Sequence, residues 1–380
     1  ARRGTFDRAE LRMRLGEEVV GVHAGGQHGG EGTGGFIRLD GGGKHNHVGL
    51  DLDLFVHDEV GGLNGQLSVV GSDLSDHALD VVNAVFLNGA AVKLVIVLAR
   101  GADVDIKDVH FGVRVFFPDE ASCLEKDQIK GRKIMLFLHG GGWATEHVEN
   151  YERVCSRMAQ ATGQTVAAVE YRLAPEHKFP TGLMDCYAVA RALYTHPDTM
   201  PEDITLIGDS AGGNLAAALS IMARDRGEFM PKRQILIYPA VNNDYSENSP
   251  YLSVRRYGTE YLLTAGKMRD YINFYASAEE DKRSKYLAPL METNYSNQPD
   301  TLILTAECDP LRDEGEEYGR RLKEAGNQVE IHRIQDALHG FFALGVKYYH
   351  VQESFAIINR FLDSYGQKES EKNVNPADGE

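Results

Sequence analysis

Proline is missing from the first hundred residues, and so are tyrosine, tryptophan and cysteine. At the usual frequency of about 5%, roughly five prolines would be expected there. The same stretch holds 19 of the chain's 40 glycines, so residues 1–100 form a Gly/His-rich region unlike the rest. Basic charge is also scarce: 40 Lys and Arg against 56 Asp and Glu leave a net charge of −16. With no basic stripe to offset that balance, a nucleic-acid partner is excluded. No run of about 18 apolar residues occurs, which argues against a membrane-spanning helix. The four cysteines, Cys123, Cys155, Cys186 and Cys308, never stand in C-x-x-C spacing. They read as small buried thiols in a reducing compartment, neither a zinc site nor a disulfide framework. Arg2 and Arg3 have no apolar segment behind them, so no secretory signal is visible and a cytoplasmic location is expected.

Two further absences exclude cofactor classes. Glu18–Gly26 imitates a strand entering a phosphate-binding loop, but G-x-G-x-x-G spacing and a following amphipathic helix are lacking. His45, His47, Asp51, Asp53, His57 and Asp58 match no recognised ligand spacing and read as polar loops. Neither a metal nor a cofactor is expected.

From about residue 101 the pattern is regular. Strands are predicted at 111–117, 134–138, 165–169, 204–207, 234–239, 301–305 and 328–333. Helices are predicted at 149–161, 181–195, 214–222, 312–325 and 350–364, and the charged stretch 119–133 reads as a loop or hairpin. This alternation implies an α/β domain over 101–366: a mostly parallel sheet with helices on both faces. Residues 242–298 interrupt it as an insertion over one sheet end. Residues 367–380 read as a polar, disordered tail. Within the first hundred residues, 74–87 has a helical pattern and Val92–Leu98 that of a strand.

The chemistry centres on Gly208-Asp209-Ser210-Ala211-Gly212-Gly213, between a buried apolar run and an alanine-rich helix. Strand, glycine-flanked serine and helix make the G-x-S-x-G nucleophile elbow, with the Ala211 N–H at the positive end of the new helix. A serine hydroxyl needs a base, and the base an orienting acid. Asp309 and His339 follow predicted strands and are the preferred acid and base. Glu307 and Asp336 are the rival acids, and His332 and His350 the poorer bases. Asp313 and Glu314 read as first-turn helix carboxylates. His139-Gly140-Gly141-Gly142-Trp143 follows strand 134–138, and its unsubstituted backbone suits close approach to an oxyanion.

These blocks, together with Tyr171–His177 and Asp309–Gly315, resemble the hormone-sensitive-lipase family of α/β-hydrolase esterases, in order, over about residues 104–365. The resemblance implies Ser210 as nucleophile, His339 as general base and then acid, and Asp309 as its orienting acid. It implies an oxyanion hole from the N–H groups of Gly141, Gly142 and Ala211, with His139, Gly140 and Asp209 in support and Tyr171–His177 shaping the site. The substrate would be a short- to medium-chain carboxylic ester, the only partner required; a homodimer is compatible with these bounds. A non-catalytic receptor on the same fold, or a thioesterase or peptidase with the same triad, is the alternative. Residues 1–100 show no clear amphipathic helix pair of the kind with which family members cap the pocket.

Overall fold

The computed structural model describes residues 112–124, 129–345 and 347–373, and six earlier strands: β1 (Glu10–Leu15), β2 (Glu18–Gly26), β3 (Gly35–Asp40), β4 (Asp51–Leu52), β5 (Asp80–Ala84) and β6 (Val92–Leu98). Two compact units emerge, residues 1–64 and 65–380. In the first, β1 to β4 form an antiparallel sheet in sequence order. Of the six candidate metal ligands, His45, His47, Asp53, His57 and Asp58 lie outside the described residues, as does the side chain of Asp51.

The second unit is built on a nine-stranded sheet. Beyond β5 and β6 its strands are β7 (Gly112–Phe116), β8 (Ile134–Leu138), β9 (Thr165–Glu170), β10 (Ile204–Asp209), β11 (Arg233–Ile237), β12 (Asp300–Cys308) and β13 (Val329–Leu338). They run in the order β13-β12-β11-β10-β8-β9-β7-β6-β5. The six from β13 to β9 are parallel, while β7, β6 and β5 pair antiparallel. β8 shows why the apolar run Ile134-Met135-Leu136-Phe137-Leu138 is unbroken. Ile134, Leu136 and Leu138 face one packed layer and Met135 and Phe137 the other, so both faces are dry. The first layer takes in helices α3 (Thr181–Tyr194), α4 (Ala211–Arg226) and α7 (Arg312–Glu324); the second takes in α2 (Glu152–Thr162) and α8 (Tyr349–Asn373). A short α1 (Glu120–Leu124) begins the stretch expected as loop or hairpin.

Three expectations are corrected. Within 74–87, expected as a helix, Asp80–Ala84 is a strand pairing with β6, and the other residues of that stretch lie outside the described residues. Residues 367–373 are not a tail but the end of α8; 374–380 lie outside the described residues. The last strand does not stop at 333 but runs to Leu338. Its pairing with β12 shifts between Ala306 and Cys308, so that Ala306 faces Ile334 and Cys308 faces Leu338. Asp336, at φ +57°, takes up the extra length. The residues after Cys308 and Leu338 therefore leave the sheet side by side.

Within 242–298 lie α5 (Leu252–Tyr257) and α6 (Ala265–Tyr275). The Thr264 hydroxyl accepts from the Lys267 N–H and caps the start of α6.

Candidate active site

Each predicted chemical group sits just past the carboxyl end of a parallel strand: the glycine loop after β8, Ser210 after β10, Asp309 after β12 and His339 after β13. A parallel sheet brings those ends to one edge. Ser210 Oγ is 2.9 Å from His339 Nε2, and His339 Nδ1 is 2.8 Å from Asp309 Oδ2. Asp309 is wholly buried, and its other oxygen accepts the Leu311 N–H at 2.9 Å.

Ser210 holds φ +54° and ψ −117°, a conformation that few side-chain-bearing residues adopt. The surrounding pairing over-determines it: its N–H donates to Ile237 O, and its carbonyl accepts from Asn214 and Ala240. A β-carbon at Gly208 would lie 2.3 Å from Gly212 O, and one at Gly212 would lie 2.0 Å from Leu138 O. Strand, helix and neighbouring strand meet so closely only because both residues are glycine.

The loop after β8 turns on Gly141 (φ +110°), Gly142 (φ +61°) and Trp143 (φ +59°). Gly141 O accepts from the Thr145 N–H and hydroxyl. The N–H groups of Gly141, Gly142 and Ala211 find no protein acceptor among the described residues, and all three residues line the cavity holding Ser210 and His339. His139 is fully buried, stacked on Tyr171 with ring centroids 4.3 Å apart. Its Nδ1–H donates to Gly140 O, and burial pushes its pKa down to about 4, leaving it a neutral brace. Tyr171 donates to His139 O. Arg172 grips the Asp185 carboxylate with two guanidinium nitrogens, which fixes the Tyr171–His177 segment beneath the loop. Gly140 N–H donates to Asp209 Oδ1 at 2.9 Å.

The rivals lie elsewhere. The Glu307 carboxylate accepts the Asp336 backbone N–H, so it is tied to the end of β13. His332 faces Glu330 at 3.4 Å, and the His350 ring packs edge-on against Phe341. Asp313 and Glu314 do sit in the first turn of α7, but Glu314 does more than meet a dipole. It is fully buried, and one oxygen accepts from Val241 N–H, Asn242 N–H and the Tyr245 hydroxyl, tying down the start of the insertion. Burial raises its pKa to about 8.

Sequence reasoning also passed over Asn214, Tyr151, Tyr238 and Tyr271. Asn214 accepts from Trp143 Nε1–H and donates to Ala240 O and Leu287 O, joining the glycine loop to the elbow helix and the insertion. Its place just after the glycines of the elbow was the one available signal. Tyr271 of α6 lies against Gly142, where a β-carbon would come within 2.4 Å of the ring. With Leu262, Leu263 and Met268 it lines a cavity of about 420 Å³ that also holds Ser210 and His339.

Comparison with known proteins agrees with this architecture. A family model described as the α/β hydrolase fold matches residues 135–343, more than half of the chain. An ethyl acetate hydrolase of Pseudomonas putida is 37% identical over 215 residues, 56% of this chain and 66% of that protein. An arylesterase of Saccharolobus solfataricus is 31% identical over 246 residues, 64% and 76% of the two chains. Among solved structures, a hyperthermophilic esterase from the archaeon Pyrobaculum calidifontis is 38% identical with a TM-score of 0.61, over 67% of this chain and 80% of that one. By its family match, its relatives and its sheet, the chain belongs to the α/β-hydrolase fold family, and within it to the carboxylic ester hydrolases.

Proposed function

We propose that the protein is a serine esterase of the hormone-sensitive-lipase group that hydrolyses short- to medium-chain carboxylic esters through an acyl-enzyme. One observation carries the reading: an unbroken hydrogen-bonded line from Ser210 Oγ through His339 to buried Asp309, beside three unengaged backbone N–H groups. Ser210 attacks the ester carbonyl while His339 Nε2 takes its proton. The oxyanion is held by the N–H groups of Gly141, Gly142 and Ala211. His339 then protonates the leaving alcohol, and later activates the water that releases the acid. Asp309 keeps the imidazole in the tautomer that leaves Nε2 free to accept. The reaction takes only residues of this chain and water, so the reading needs no cofactor. Residues 101–366 act as the catalytic domain and 242–298 as its cap.

The chain-length reading rests on the limited cavity volume and its apolar wall of Trp143, Ala240, Leu263 and Met268. A fluorophosphonate probe is expected to label Ser210 covalently, which a receptor without an activated serine would not permit. Across p-nitrophenyl esters from acetate to palmitate, kcat/KM is expected to fall by about tenfold or more at the long end. Undiminished palmitate turnover would overturn the chain-length reading, and an unlabelled serine the triad. Thioester and anilide substrates run in parallel separate the thioesterase and peptidase alternatives.

The cap makes a second expectation specific. Gly142→Ala places a methyl group into the Tyr271 ring, so the loop has to shift. With an oxyanion donor displaced, kcat is expected to drop by about 10²-fold while KM changes little. An unchanged kcat would remove Gly142 from the oxyanion hole.

A further inference from the structure

We propose that Asp209 is a positioning residue for both halves of this machinery, holding the oxyanion loop through Gly140 and the face of His339 through Tyr238. The proposal rests on the triad reading above.

Asp209 precedes the nucleophile on β10, and its side chain enters the layer that takes Ile207, Phe137 and Tyr151, an otherwise apolar face. It is only 2% exposed. A carboxylate there loses its hydration, so a leucine would cost the fold less. What the carboxylate does instead is collect donors from three separate elements. Oδ1 accepts the Gly140 N–H at 2.9 Å, at the root of the oxyanion loop. Oδ2 accepts the Tyr151 hydroxyl at 2.9 Å, just before α2, and the Tyr238 hydroxyl at 3.3 Å, just after β11. Gly140 fits the same account, since a β-carbon on it would stand 2.7 Å from Asp209 Oδ2. Its lack of a side chain is what lets the carboxylate reach the loop backbone.

The other arm runs through Tyr238, a non-glycine residue held at φ +34° with its ring centroid 4.8 Å from that of His339. Asp209 therefore sets the ring against which the base rests. When His339 takes the serine proton, its new positive charge also lies within the field of this buried anion. The titratable groups facing Asp209 are Tyr151 and Cys155 from the α2 side, Tyr171 after β9, Tyr238 after β11 and His339 after β13. Burial raises the Asp209 pKa to about 6, against the pull of its donors.

Asp209→Asn keeps the shape and removes the charge. It is expected to lower kcat by about 10- to 100-fold with KM nearly constant, because loop and base lose registry. The sign of the pH effect follows from the charge. The Asp209 carboxyl, its pKa raised to about 6, contributes to the acidic limb of kcat/KM in the unaltered protein, and without it that limb moves to lower pH. That limb also becomes shallower, because one carboxyl fewer titrates there. Tyr238→Phe, which deletes one donor but keeps the charge, should lower kcat by less and move the limb the other way, to higher pH, because that donor holds the carboxyl's pKa down; it serves as the test should Asp209→Asn fail to fold. Wild-type kcat with an unmoved acidic limb in the folded variant overturns the proposal. Fluorophosphonate labelling of the unaltered protein keeps the two readings apart: labelled Ser210 with a neutral Asp209→Asn rejects only this inference, whereas unlabelled Ser210 rejects the triad beneath it.

Discussion

Ser210→Ala is expected to reduce kcat/KM for a p-nitrophenyl ester by about 10⁴-fold or more while leaving the circular dichroism spectrum unchanged. The size follows from what is removed. The variant loses the atom 2.9 Å from His339 Nε2, in the cavity that the residues Gly141, Gly142 and Ala211 also line. What remains is a cavity that still binds the ester and still polarises its carbonyl, so a small residual rate over water persists. The fold should survive because the elbow does not depend on the hydroxyl. The turn is held by backbone bonds from Ser210 N–H to Ile237 O and from Asn214 and Ala240 to Ser210 O, and alanine keeps all three. Turnover within tenfold of the unaltered protein, on a sample free of contaminating esterase, would falsify the nucleophile assignment.

The parts of this site that could be read in advance share one property: their signal is local. Gly208 and Gly212 flank the serine because strand and helix cross there, and the spacing shows it without any knowledge of partners. Asp309 and His339 stand where strands end, and the apolar runs before them announce those ends. The hidden parts were carried by pairing over long distances in the chain. Asp209 is legible as a supporting residue, but its partners Tyr151 and Tyr238 are not, since 58 and 29 residues separate them from it. The strand pattern stops five residues short of Leu338 because exposed Gln335 and Asp336 break the apolar alternation between buried Ile334 and Ala337. Only the ladder to β12, with its irregular register, extends it. Asp80–Ala84 became a strand rather than a helix for the same reason: β6 supplies hydrogen bonds that a local helical pattern cannot outweigh. The polar composition of 367–373 predicts disorder, yet a helix already running from Tyr349 continues into these residues.

Asp309→Asn should cost about 10⁴-fold in kcat, and the surroundings of the side chain say by which route. Asp309 Oδ1 accepts the Leu311 N–H at 2.9 Å, a donor fixed by backbone, and Oδ2 faces His339 Nδ1 at 2.8 Å. An asparagine has one oxygen to divide between these two. Turning it toward His339 would leave its amide N–H₂ against the Leu311 N–H, two donors face to face in a wholly buried place. The oxygen therefore stays with Leu311, and the amide donates to His339 Nδ1. The imidazole then carries its proton on Nε2 and offers Ser210 a donor where the reaction needs an acceptor. Substrate binding does not involve this contact, so KM should hold steady while kcat falls, and fluorophosphonate labelling should slow in proportion. Nitrogen NMR of the histidine should show the proton transferred from Nδ1 to Nε2. Glu307→Gln makes the matched control, since the Glu307 carboxylate accepts the Asp336 N–H, which a glutamine oxygen can still do, and the change should alter kcat by less than about threefold. A reversal of the two results, with Glu307→Gln inactive and Asp309→Asn near full rate, would move the orienting acid from 309 to 307.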